Sequence, residues 1–251
     1  MEYKTSFRDL IYDPAWQGKY VGQGNPNAKI LLIGQECAFD GDSKQYGSEF
    51  APNFTIWTKN VKNNVGFEDL SPDYRKDHEY NPLFPYRSPA QTFKVLTFDK
   101  DKNPRSKTGT GTSRTWRNYQ LLIDTIRLKR QEISHLHKYD TPLDFFEHCF
   151  ITEMSDFCIE NHKNLDAGKA KVIRERIALR SQLIRSSSFF KTFDVVILAC
   201  GGYADKLCDS DGSYHSMFGD AIIIGGARNH LPQMSRIGNV QIQNIVSEYF
   251  K

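Results

Sequence analysis

The sequence predicts an α/β fold: a three-layer α/β/α arrangement with helices on both faces of a central, mostly parallel four-stranded sheet. Three observations predict it. Four short apolar runs each end in small or polar residues. The runs are continuous rather than alternating, the habit of strands covered on both faces. Helical periodicities lie between them, and that alternation builds a parallel sheet.

The first run, Ala28-Lys29-Ile30-Leu31-Leu32-Ile33, follows an Asn25-Pro26-Asn27 turn and leads into Gly34-Gln35-Glu36. The second is Cys149-Phe150-Ile151-Thr152, followed by Glu153-Met154-Ser155-Asp156. The third, residues 194–199, ends in Cys200-Gly201-Gly202, and the fourth, residues 221–224, ends in Gly225-Gly226-Ala227-Arg228-Asn229-His230. Between them, Tyr119, Leu122, Ile123 and Ile126 fall at i, i+3, i+4 and i+7, with the helix start placed in residues 115–118. A second helix runs from about Ala170 to Phe189, with Ile173, Ile177 and Ile184 on one side and Arg174, Arg176, Arg180 and Arg185 around the rest. Residues 240–250 fit a helix or a strand equally.

About eighty residues separate the first strand from the Tyr119 helix, where such connections usually take ~2 to 6. The excess is an insertion at about 40–114, with Pro52, Pro72, Pro82, Pro85, Pro89 and Pro104 interleaved with aromatic residues that include Phe50, Phe54 and Trp57. Such a segment is expected to pack over the sheet as a lid or side wall. Its end, Asp99 to Ser113, is basic and rich in Gly, Thr and Ser, hence expected to be mobile.

A chain of 251 residues, 39% hydrophobic and 25% charged, has the composition of an ordinary soluble protein, and it is expected to form one domain, residues 1–251. No apolar run approaches the ~20 residues of a membrane span. The start MEYKTSFRDL has neither the apolar core nor the cleavage site of a signal peptide, so a cytoplasmic monomer away from membranes is expected. Five cysteines, Cys37, Cys149, Cys158, Cys200 and Cys208, make an odd number without a C-x-x-C pair, which argues against a disulfide framework and a Cys-bound metal. Neither a metal nor a cofactor is expected.

The net charge of +3 conceals an uneven distribution. Residues 100–130 hold nine basic side chains against two acidic, and residues 166–191 seven against two, leaving 17 basic against 26 acidic elsewhere. A polyanion-binding surface needs such concentration, because Lys and Arg gain affinity by releasing counterions from phosphates. Two solvated helix faces would give the same count.

In open parallel sheets, ligands bind at the carboxyl ends of the strands. That rule gathers Gln35, Glu36, Glu153, Ser155, Asp156, Gly201, Gly202, Asn229 and His230 at one edge. Such a set of carboxylates, amides and an imidazole can polarise a substrate, position water and stabilise developing charge. No G-x-x-x-x-G-K-[ST] and no G-x-G-x-x-G is present, which argues against a P-loop or a standard dinucleotide site. Bland alternatives stay open: Gln35 and Glu36 capping a helix, Phe50 and Phe54 as core. His78, His135, His137, His148, His162 and His215 lack a comparable context and read as surface residues.

At these positions the sequence resembles the uracil-DNA glycosylase superfamily. KILLIGQE is similar to the superfamily's first motif, a strand ending in Gly-Gln-Asp-Pro or Gly-Glu-Ala-Pro. NHLPQMS is similar to its His-Pro-Ser-Pro-Leu-Ser loop, and TWRNYQLLIDTI and DVVILACGGYA resemble the helix and the strand that lie between these motifs. The resemblance implies an enzyme that flips a modified or mismatched base from DNA and hydrolyses its N-glycosidic bond. It implies Glu36 as the water-activating carboxylate, Gln35 beside it, and His230 as donor to the departing base. Glu153 would read the base edge beside Asn229 and Gly201, Phe50 or Phe54 would stack on it, with Phe39 a third possibility, and Met234 would fill the vacated space as a wedge. Arg114, Arg117 and Ser235 would hold the DNA backbone.

The chain departs from the pattern in several places, and the insertion at about 40–114 has no obvious counterpart in it. Cys37-Ala38-Phe39 stands where the best-known members have Pro-Tyr-His, Glu153 stands at the base-reading asparagine, and the four cysteines of the iron-sulfur members are absent. Two other functions therefore stay open: a nucleic-acid or nucleotide-binding module on the same fold without glycosylase activity, and an unrelated small-molecule α/β enzyme.

Overall fold

The fold is that of a computed structural model, which describes residues 1–38, 50–70, 80–84, 113–137, 143–159, 167–232 and 234–250, with the side chains of 36–38 and 157–159 left out. The expectations for Phe39, for the side chains of Glu36 and Cys37, and for residues 99–112 lie outside the described residues.

The protein is α/β. Its sheet has five strands rather than the four expected: β1 (Gln23–Gly24), β2 (Ile30–Ala38), β3 (Cys149–Ile159), β4 (Val195–Ala199) and β5 (Ile222–Ile224), in the order β1-β3-β2-β4-β5. The four predicted runs are all present and mutually parallel, and β1 makes the sheet mixed by pairing antiparallel with the outer edge of β3. β1 escapes a periodicity test because it is two residues long. It lies against β3 because Gly22 (φ +145) and Gly24 (φ +86) carry no Cβ; one would stand 2.4 Å from Ile151 O and the other 2.5 Å from Cys149 O.

The helices are α1 (Thr5–Tyr12), α2 (Asn53–Asn63), α3 (Arg114–Lys129), α4 (Phe145–His148), α5 (Ala167–Ser186), α6 (His215–Phe218) and α7 (Asn239–Tyr249). α3 and α5 are the two predicted helices, and α7 settles residues 240–250 as helical. α3 is capped by Ser113, whose Oγ accepts from the Trp116 amide at 3.1 Å, so the helix begins one residue before the stretch 115–118 where its start was expected. α1 buries Phe7 against Trp57, Phe150 and Phe189, with ring centroids 5.0, 5.7 and 4.9 Å away.

α2 lies within the insertion and is part of the core rather than a lid. Trp57 is fully buried and donates Nε1–H to Gly22 O at 2.8 Å. Asn53 donates to the same carbonyl at 2.9 Å and accepts from the Val21 amide at 2.9 Å. The insertion thus fastens the segment that leads into β1.

The strand order fixes where a site can form. From the central β2 the chain crosses to β3 on one side, then over to β4 on the other, so the connections diverge above the carboxyl ends of β2 and β4. β4 stops at Ala199 opposite Gly34, whereas β2 and β3 continue as a two-stranded ribbon with Glu36 opposite Ser155 and, past an irregularity, Ala38 opposite Ile159.

Candidate functional site

Gly34 and Ala199 face each other at the point of divergence. Beyond Ala199 the chain bends into a 3-10 turn, Gly201–Lys206, that begins with Gly201 at φ +54. Among the described residues a Cβ added at Gly201 or Gly202 would meet nothing within 4 Å, so this turn leaves room beside the divergence. Half-buried Gln35 follows Gly34 within β2.

Below this opening, Gly34 makes room for a carboxylate. A Cβ at position 34 would stand 2.1 Å from Glu153 Oε2, and Glu153 is 8% exposed. Arg180 of α5 packs on the same strand. Its Nε donates to Glu153 O at 3.1 Å, and its Nη atoms donate to Val21 O at 3.1 Å, to Tyr20 O and to Thr152 Oγ1. The guanidinium lies 4.7 Å from the Trp16 ring. Burial pushes its pKa down to about 10 against the fields of Asp156, Tyr20 and Glu153. Arg180 therefore satisfies one carbonyl of β3 and two of the chain just before β1 begins, and it places a positive charge near Glu153.

His230 stands on the other side. Its Nε2 lies 2.8 Å from Asp205 Oδ1, and Asp205 belongs to the turn that leaves β4. A carboxylate only accepts hydrogen bonds, so Nε2 carries a proton and Nδ1 is left for a ligand. The approach to His230 needs both glycines before it. A Cβ at Gly225 (φ +85) would lie 3.0 Å from Leu198 O, and one at Gly226 (φ +127) 2.9 Å from Tyr214 Oη. Tyr214 Oη in turn accepts the Ala227 amide at 2.8 Å. Gly225, Gly226, Arg228 and exposed Asn229 line a cavity of about 290 Å³ with Tyr214 and Tyr249.

The residues assigned to the DNA backbone come together. Asn118, fully buried on α3, donates Nδ2–H to Met234 O at 2.5 Å and to Ile237 O at 3.0 Å. Arg117, one residue earlier, donates to Asn239 Oδ1 at 3.0 Å. The first turns of α3, with exposed Arg114, are thereby joined to the 3-10 turn Met234–Arg236 that carries half-buried Ser235 and exposed Arg236.

Other assignments need correction. Met234 is 3% exposed and Phe50 6%. Phe50 stacks on Tyr20 with ring centroids 4.7 Å apart and planes at 23°. A wedge and a base platform both need an open face, so neither side chain can serve as placed. Phe54 is half-buried on α2, where it lines a separate cavity of about 440 Å³ with Lys59 and Lys62. The basic surplus on α5 is partly internal: Arg180 is buried, Arg176 pairs with Asp156 at 2.7 Å and Arg185 with Asp209 at 2.8 Å. Sequence reasoning missed Asp205 and Asn118. Asp205 lies four residues past the Gly201 already placed at this edge, and that proximity was the available signal.

Among the described residues no helix is long and apolar enough to cross a membrane. Compared with known proteins, the chain matches no family model, no curated protein and no solved structure.

Proposed function

We propose that this protein hydrolyses the N-glycosidic bond of a flipped modified or mismatched base in DNA, as a cytoplasmic monomer and without a cofactor. One observation carries the reading: the divergence point, with room beside it, has Gln35 and Glu36 on the strand at one side and an Asp205-oriented His230 on the other. Cleavage breaks the bond between C1′ and the base nitrogen, and the base leaves with the electron pair. Glu36 stabilises the oxocarbenium-like sugar, directs water to C1′ and takes the water's proton. His230, with Nε2 held by Asp205, donates from Nδ1 to the departing base when the ring carries its second proton. Glu153 reads the base edge from beneath Gly34, and Arg114, Arg117 and Ser235 hold phosphates.

The test is an abasic-site assay on single- and double-stranded oligonucleotides carrying uracil, hypoxanthine, xanthine or an alkylated base. Release of at least one base is expected, with a loss of about 10²- to 10⁴-fold in Glu36→Ala and in His230→Ala, the usual range for a general acid or base. Full activity in both variants removes the assignment.

A second reading, binding without cleavage, is favoured by the backbone of β2. Glu36 stays in the strand, in register with Ser155, instead of entering a loop after it. DNA binding without abasic sites on any substrate decides for this reading.

A further inference from the structure

The opposite end of the sheet, where β3 begins, holds a second cluster of titratable side chains. Asp124 of α3, His137 on the chain beyond it and Asp144 just before α4 each offer one ligand atom, and these atoms lie within 4.8 Å of one another. His148, the last residue of α4, sets Nε2 3.3 Å from Asp144 Oδ2. Asp124 is fully buried, and His137, which reads from the sequence as a surface residue, is only 13% exposed.

The hydrogen bonds orient the imidazole of His137. Its Nδ1 lies 3.1 Å from Asp124 Oδ2, and since an ionised carboxylate only accepts, the proton is on Nδ1. The His137 amide donates to the same oxygen at 3.0 Å. Gln120 Nε2 donates to Asp124 Oδ1 at 2.9 Å and to Asp144 Oδ1 at 2.8 Å, and also lies 3.3 Å from His137 Nδ1. Gln120 Oε1 is fixed by the amides of Asp144 and Phe145, both at 2.9 Å. A carboxylate on one ring nitrogen is the usual way a metal-bound histidine is held, with the other nitrogen turned to the ion.

That other nitrogen, Nε2, faces Asp144 Oδ1 at 3.6 Å. The separation is too long for a hydrogen bond. It is close to the spacing of two ligands on one ion, because bonds of about 2.0 to 2.1 Å at tetrahedral angles set ligand atoms about 3.3 Å apart. Among the described residues no Lys or Arg pairs with Asp124 or Asp144, whose ionic partners are His137 and His148. Asp124, fully buried, and Asp144 thus set two negative charges beside His137, where a bound cation would add to the hydrogen bonds that already hold them.

We infer that His137 Nε2 and the Asp144 carboxylate bind a divalent transition cation of the zinc class, with His148 closing on it by a side-chain rotation and Asp124 and Gln120 as positioning residues. Mixed imidazole and carboxylate donors suit zinc better than calcium or magnesium, which take oxygen ligands. Asp124 and His137 follow from α3, and Asp144 and His148 flank α4, so the ion would tie these two segments together and is structural.

The experiment is calorimetric titration of the full chain, without a histidine tag and stripped by chelator, with Zn²⁺ alone, together with thermal unfolding. One equivalent of zinc and a raised Tm are expected, unchanged in Cys208→Ser, which removes the half-buried thiol as a rival ligand. Affinity should fall at least tenfold in Asp144→Asn and His148→Ala, and about 10- to 100-fold in Asp124→Asn, the usual effect of losing an orienting partner. His148 is 29% exposed, so its variant remains informative if His137→Ala does not fold. Absence of stoichiometric binding, or binding unaltered in Asp144→Asn and His148→Ala, overturns the inference. So does a Tm that responds to pH but not to zinc, because a proton would then bridge the cluster.

Discussion

A methyl group at position 34 would overlap the Glu153 carboxylate, 2.1 Å from Oε2. Gly34→Ala is therefore expected to push Glu153 aside and to cost about 1 to 3 kcal/mol, the usual price of overpacking a filled interior. Truncating Glu153 as well removes the overlap, so the double variant should be more stable than the sum of the two losses by about 0.5 to 3 kcal/mol. Denaturant unfolding of the four proteins measures this, and simple additivity would mean that the two side chains do not share the space. Glu153 and Gly34 were both legible in the sequence, because each adjoins an apolar run whose end defines the edge. Arg180 was not: an arginine on an amphipathic helix reads as solvated, and the carbonyls it satisfies at Tyr20 and Val21 are far away in sequence. Asp205 carried only its closeness to Gly201 as a signal, since it meets His230 from a different loop.

The elements with the plainest patterns were legible, whereas α1 and the eleven-residue α2 were not expected as helices and α7 was left between helix and strand. β2, β3, β4 and β5 announced themselves as apolar runs, and α3 and α5 as 3.6-residue repeats. β1 and the core role of α2 rest on Gly22, Asn53 and Trp57 meeting across the fold, which composition does not reveal. Two joints between elements can be tested. Asn118 holds the turn after His230 through two donated hydrogen bonds, so Asn118→Ala should destabilise by about 1 to 3 kcal/mol by leaving buried carbonyls unpaired. Asn118→Asp should cost more, because a carboxylate cannot donate and would face those carbonyls. Equal melting temperatures for the two variants would contradict this. The second joint is Asp209, which takes hydrogen bonds from Ser216 Oγ, from Arg185 and from the Ser216 amide, and these hold its carboxyl far below the ordinary value of 3.8. A lowered folded-state pKa gives stability that is present above the unfolded value and is lost as pH falls through the folded one. Melting curves from pH 7 downward should therefore show a loss below about pH 4 that is smaller in Asp209→Asn, and identical pH profiles would exclude Asp209 as a contributor.

For the whole molecule, the charge distribution acquires a direction. α5 must run back from the carboxyl end of β3 to the amino end of β4, so its N-terminus lies on the same side as the divergence point. The N-terminus of α3 is joined to the turn after His230 and lies on that side too. Both helix dipoles thus present their positive ends there, a field that favours anions. The side chains divide accordingly. Arg127, in the last turn of α3, and Arg130, just past its end, pair with Glu132, and Arg130 also with Asp194; Arg185, in the last turn of α5, pairs with Asp209. Arg114, in the first turn of α3, is exposed at a helix end where a cation is locally unfavourable, a cost that a phosphate partner would offset. If DNA crosses this edge, Arg114→Ala should weaken binding about equally for every sequence and make the slope of log K against log salt shallower by about 0.9, one phosphate's share. Arg185→Ala should leave that slope where it is, because its charge is already committed to Asp209. Fluorescence anisotropy with one labelled oligonucleotide over about 50 to 200 mM salt compares the three proteins in the range where counterion release is steep. Equal slopes for the parent and Arg114→Ala would take the DNA path away from the α3 end, and a shallower slope for Arg185→Ala would move it to the far end of α5.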